Sequence, residues 1–183
     1  MAKTQPRLTA AFPPLVAEGR LDRDAVTSAL RLCLNELLSK AHLELSYEIR
    51  NEHPAKDSAY EHPELSVVFS GRDNEMLLER NAELLQALEY LALRWIRIDP
   101  QFYGRVRFDS ADYRALRIEE LRLSAHVAAE RVRETRAPFR LNPMSPRERR
   151  VVHLALKDEP GIRTTSEGEG EERQVVIYPA DRQ

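Results

Sequence analysis

The chain has 183 residues, 42% hydrophobic and 32% charged, with a formal net charge of −2 that on its face argues against a nucleic-acid binder. That size and balance suit one ordinary soluble domain or two small ones, and the apolar runs, only a few residues long, leave no reading as a membrane span or signal peptide. A single cysteine, Cys33, excludes a disulfide framework and a multi-cysteine zinc site, and suits a reducing cytoplasm.

The first element is predicted over residues 22–41. There Val26, Ala29, Leu30, Cys33, Leu34, Leu37 and Leu38 recur at three- and four-residue steps, one face of an amphipathic helix. Cys33 lies on that face, which reads as a buried small apolar residue rather than a nucleophile. Residues 43–49 alternate apolar and polar, the period of a half-buried strand, and 65–71 read as a second strand. Between them, 50–64 hold Pro54, Pro63 and many charges and read as a long hairpin loop. A short helix and then a long one over 82–97 follow, with Leu84, Leu85, Leu88, Leu91 and Trp95 as its apolar face, stopped by Asp99-Pro100. Residues 102–109 alternate as a third strand. The order is α-β-β-α-α-β.

The second half opens with a long helix over about 111–136, carrying Ala115, Ile118, Leu121, Ala125, Ala128, Ala129 and Val132 on one side and closed by Pro138. After a brief extended segment at 139–142, Ser145 is followed by Pro146 and, three positions on, Glu148. That is a capping box with proline at the first helical position, starting a helix to about residue 157. Strands are expected at 162–166 and 173–178. The fold class is therefore α+β: two small units sharing a long helix.

The charges are not evenly mixed along this order. Residues 51–90 hold nine acids against three bases, whereas 131–150 hold seven arginines against Glu134 and Glu148. The near-neutral total conceals an acidic first half and a basic stripe. On the helix beyond the stripe, Arg149 and His153 stand one turn apart on the same face. With Val151, Val152 and Ala155 turned to the core, the pair is expected outward beside Arg150 and Lys157, where it suits a phosphate clamp. The same spacing suits an arginine paired with a carboxylate and a histidine capping a backbone group. The histidines at 42, 53, 62, 126 and 153 lack metal-set spacing, and no nucleophile elbow, Walker loop or dinucleotide fingerprint is present. No enzymatic activity, metal or cofactor is expected.

The stretch LNPMSPRERRVVHLALKDEPGIRTTSEGEGEERQVVIYP at 141–179 resembles the C-terminal R-three-H domain of the bacterial Jag (SpoIIIJ-associated, also called KhpB) family, named for an arginine and a histidine separated by three residues, here Arg149 and His153. Residues 69–92 resemble the strand, loop and helix of the family's KH domain, and 112–132 its connecting helix. The resemblance implies a flexible extension at 1–20, a type II-like KH domain at 21–110 and an R-three-H domain at 111–183. It implies single-stranded RNA as ligand (single-stranded DNA as the alternative), with contacts from Arg147, Arg149, Arg150 and His153, and further Arg140, Lys157, Ser166 and Arg173. Glu167 is expected to orient the arginines. Tyr178, Phe139 and Tyr113 are the aromatics within reach of base stacking. A second class of partner, a small single-KH protein, and a role in post-transcriptional control linked to cell elongation or division are also implied. No membrane insertion is expected.

One departure from the family matters. A KH domain uses a Gly-x-x-Gly turn to let the nucleic-acid backbone approach. Here that turn falls on Glu79-Arg80-Asn81-Ala82, with neither glycine and with Glu75 and Glu83 nearby. Like charges about 4 Å apart repel by roughly 1 kcal/mol in water. The KH half is expected to have lost most of its nucleic-acid affinity, with a scaffold or protein-contact role remaining. Members of the family often carry an extra N-terminal domain; here about twenty residues precede the first expected helix.

Overall fold

The computed structural model describes residues 13–52 and 63–180. They fall into two compact units that divide between Ala111 and Asp112. Residues 1–12 of the expected extension and most of the expected loop at 50–64 lie outside the described residues.

The first unit begins with a two-residue hairpin, β1 (Val16–Ala17) and β2 (Arg20–Leu21), inside the stretch expected to be a flexible extension. Glu18 and Gly19 at its tip both have positive φ, the geometry of a tight hairpin turn, and Leu15 and Leu21 are buried. Asp22 then accepts a hydrogen bond from the Ala25 N–H at 3.0 Å and starts α1 (Arg23–Ala41). The expected face is buried, Cys33 included, except for half-buried Leu37; burial pushes the Cys33 thiol up to about 12, so it is inert.

Strands β3 (Leu45–Asn51) and β4 (Leu65–Gly71) pair antiparallel, and β5 (Val106–Ser110) joins β4 in parallel. On one face of this sheet Phe69 meets Phe108 with ring centroids 5.4 Å apart, and Tyr47 meets Phe69 at 6.2 Å. Strand β5 is shorter than its alternation suggested. Asp99 accepts from the Gln101 N–H and, with Pro100, winds residues Pro100–Arg105 into a 3-10 turn that buries Phe102. Buried Glu89 accepts the Phe108 N–H at 2.9 Å and pins β5 to the helix before it.

That helix, α2 (Asn74–Trp95), is broken at Glu79–Ala82, and Arg80, Asn81 and Ala82 are all left-handed with φ of 50°, 59° and 58°. The break separates the short and long helices read from the sequence, although the long one turns a different side inward. Leu85, Leu88, Ala92 and Leu93 are buried while Leu91 is 51% exposed. The Gln86 side chain donates to the Asn81 carbonyl at 2.8 Å and holds the turn. Three successive non-glycine residues in this region carry strain of roughly 1 kcal/mol or more each. Arg80 is exposed. Arg80→Gly is therefore expected to raise the stability of the chain by about 1 kcal/mol, read as a higher urea midpoint with an unchanged m-value.

The second unit is a three-stranded antiparallel sheet with two helices on one face. Its elements are α3 (Tyr113–Thr135), β6 (Phe139–Arg140), α4 (Pro146–Ala155), β7 (Ile162–Glu167) and β8 (Gln174–Pro179), with strand order β6-β8-β7. The core joins Leu121, Ala125, Ala129 and Val132 of α3 to Val151 and Val152 of α4 and to Ile162, Val175 and Ile177 of the sheet. Each such fully buried Leu, Val or Ile contributes about 1.5–3 kcal/mol. Ala115, expected on the buried side of α3, is exposed. Left-handed Arg136 ends α3 two residues ahead of Pro138. Among the described residues no helix is long and apolar enough to cross a membrane, and none forms a group of three or more metal-binding side chains.

Candidate nucleic-acid interface

The site is built outward from the start of α4. Ser145 is extended; its hydroxyl accepts from the Glu148 N–H and its own N–H donates to Glu148 Oε2 at 2.9 Å, so the capping box is complete. Glu148 Oε1 also accepts from Arg117 Nε on α3 at 2.7 Å, and Arg117 reaches Glu120 as well. The side chains of Arg117 and Glu148 are only 16% and 14% exposed. Burial alone would raise the Glu148 carboxyl, but the hydrogen bonds from Arg117 and Ser145 outweigh it and hold the group below the usual carboxylate range. The first turn of α4 is thus clamped to α3.

One turn on, His153 is half-buried against β7 rather than outward as its spacing suggested. Its Nδ1 lies 2.7 Å from Thr164 Oγ1 and its Nε2 lies 2.9 Å from Ser166 Oγ. Burial, and then the nearby charge of Arg149, lower its pKa, so the ring is neutral at pH 7. A neutral imidazole has one N–H and one acceptor nitrogen, so it orients one hydroxyl as acceptor and the other as donor. Arg149 is half-buried and donates to the Met144 carbonyl at 3.1 Å. Met144 in turn donates its N–H to the Arg173 carbonyl, which ties the arginine to the end of the turn before β8.

The other residues singled out in the sequence are not all on this side. Arg150, Lys157 and Arg173 are exposed, and Arg147 is half-buried. Arg140 pairs across strands with Val176, which pairs with Thr165, so Arg140 shares a sheet face with Thr165 and not with Thr164 and Ser166. There it donates to Glu167 at 3.0 Å, and Glu167 also accepts from the Tyr178 hydroxyl. Phe139 packs on the core under Arg131, and Tyr113 is half-buried. The turn Glu79, Arg80, Asn81 and Ala82 belongs to the first unit, with the first three exposed and Ala82 buried.

Thr164 escaped the sequence reading. The signal for it was present: alternation along Ile162–Glu167 places Ile162, Thr164 and Ser166 on one face, and a histidine above that face meets both hydroxyls. The assembled side can present a guanidinium and one hydroxyl proton, that of the hydroxyl accepting from the imidazole, to an anion such as a phosphodiester.

The R-three-H domain model matches residues 119–179. Among curated proteins, the RNA-binding protein KhpB of Clostridium symbiosum is 34% identical over 114 residues, covering 62% of this chain and 51% of that protein. The RNA-binding protein KhpB of Bacillus subtilis (strain 168) is 34% identical over 111 residues, covering 60% of this chain and 53% of that protein. The one from Lactiplantibacillus plantarum is 29% identical over 109 residues, 60% of this chain and 34% of that protein. The chain spans about half the length of the first two.

Proposed function

As a member of the Jag/KhpB family carrying an R-three-H domain, this chain, we propose, binds single-stranded RNA through the α4–β7 side of its second unit. The observation that carries this reading is His153 held neutral between Thr164 and Ser166, with Arg149 one turn before it on the same helix. On this reading Arg149 contacts phosphate, and the hydroxyl that accepts from His153 donates its own proton to complete the contact. Arg147, Arg150, Lys157 and Arg173 supply the surrounding positive field. The chain acts by holding RNA in the cytoplasm, not by catalysis. Residues 21–110 are read as a KH-type unit whose turn, with Glu79 and a left-handed Ala82 where the glycines would stand, contributes little to RNA affinity.

The test is a fluorescence-anisotropy titration of an unstructured RNA ten-mer by the full chain at several salt concentrations, with the DNA ten-mer alongside. The wild type is expected to bind RNA with a steep salt dependence. Arg149→Ala is expected to weaken binding about tenfold for every sequence tried and to lower the salt slope by about one, while the melting curve is retained. Unchanged affinity in that variant defeats the assignment of Arg149, and preference for the DNA strand defeats the assignment to RNA.

A further inference from the structure

The face of the second sheet opposite α4 carries an ordered chain of side chains that the phosphate site does not use. It runs across all three strands. Arg140 on β6 donates to Glu167 on β7 at 3.0 Å, and the Tyr178 hydroxyl on β8 donates to the same carboxylate. The guanidinium of Arg163 on β7 lies over the Tyr178 ring, 4.5 Å from its centroid. Arg163 and Tyr178 are direct cross-strand partners, so the stack is built into the register of the sheet.

Each contact fixes a degree of freedom. The hydrogen bond to Tyr178 is the leading reason the Glu167 carboxyl sits below the usual range, and the Arg140 bond and the charges of Arg140 and Arg163 act the same way, so Glu167 is ionised at pH 7. An ionised Glu167 anchors the tyrosine by its hydroxyl. The anchored ring then supports one face of the guanidinium, and Arg163 is exposed. A planar cation supported on one face and open on the other is a stacking surface for another flat ring. The arginines on either side, Arg140 and Arg163, favour an anionic strand as the bearer of that ring.

We infer that the Arg163–Tyr178 stack is a base-binding subsite, on which an unpaired nucleobase of the RNA stacks against the Arg163 guanidinium. This rests on the RNA-binding reading and deepens it. Phosphates are held on the face of β7 that carries Thr164 and Ser166, and a base is held on the face that carries Arg163. The strand passes over the outer edge of β7, the end strand of the sheet among the described residues. Stacking is tolerant of base identity, so the subsite reports the presence of a base rather than its sequence.

The experiment compares two ten-mers of equal charge, one of ordinary RNA and one with abasic positions throughout, titrated against the full chain. Arg163→Lys keeps the charge and removes the planar group. It is expected to weaken binding of the base-bearing strand about tenfold and to leave the abasic strand within about twofold. Tyr178→Leu is expected to behave likewise, and if that variant unfolds, the exposed Arg163 substitution decides alone. Arg149→Ala is expected to weaken both strands. Equal weakening of both strands by Arg163→Lys, or of neither, overturns the subsite while leaving the RNA-binding reading intact. A wild type that binds neither strand overturns both.

Discussion

Glu148→Ala is expected to lower the stability of the second unit by about 2–4 kcal/mol. Two losses combine. The helix loses the reciprocal half of its capping box, about 1 kcal/mol, because the Ser145 N–H no longer has an acceptor. Arg117 loses its more buried partner and is left with Glu120, whose side chain is 63% exposed. A fully buried pair broken on one side costs about 3–5 kcal/mol, and the residual exposure here reduces that. Urea unfolding followed by far-ultraviolet circular dichroism measures it, and the Glu148→Ala/Arg117→Ala cycle isolates the pair. Acid reports the same group. Because the folded carboxyl titrates below its unfolded value, its contribution is complete above pH about 4.3 and disappears as pH falls through the folded pKa. Glu148→Gln is expected to remove that acid limb, and a variant that keeps it assigns the limb to another carboxylate.

Gly168→Ala is expected to cost about 2–3 kcal/mol and to weaken RNA binding with it. Gly168 follows β7 at φ +87°, and a Cβ there would sit 2.7 Å from the Glu172 carbonyl oxygen and 3.2 Å from the Arg173 Cα. Both neighbours are backbone, so relief requires the turn itself to shift, and Ser166 and Glu167 lie immediately before it. Gly170 provides the control: its φ is +53° but a Cβ there meets nothing within 4 Å. Gly170→Ala is expected to cost only about 1 kcal/mol and to leave affinity unchanged. Equal effects of the two alanines on RNA binding would show that the close approach at Gly168 does not position the site.

Much of this arrangement is legible in the sequence because its causes are local. The capping box needs only Ser145, Pro146 and Glu148 at their spacing, and the buried face of α1 needs only its period. What escaped depends on how one element is rotated against another. Spacing puts Arg149 and His153 on one face of α4, yet packing of Val151 and Val152 sets the helix so that His153 reaches Thr164 and Ser166. Likewise Arg140 belongs with Arg149 by composition, whereas strand pairing assigns it to the other side of the sheet with Glu167. In the first unit, alternation over 102–109 continued into a segment that Asp99 and Pro100 bend into a 3-10 turn. Local hydrogen bonding overrode the period there.

Strand β7 carries unlike chemistry on its two sides within six residues: hydroxyls toward His153, and Arg163 and Glu167 away from it. Side chains alternate along a strand, so a single residue gained or lost inside Ile162–Glu167 would exchange the two sides for everything beyond it. The hydroxyls would leave the histidine while charged groups moved toward the helix. Individual residues of this segment can be changed one at a time with graded effects, but its length cannot. Both halves of the surface therefore depend on one count, and an insertion or deletion here would disable them together.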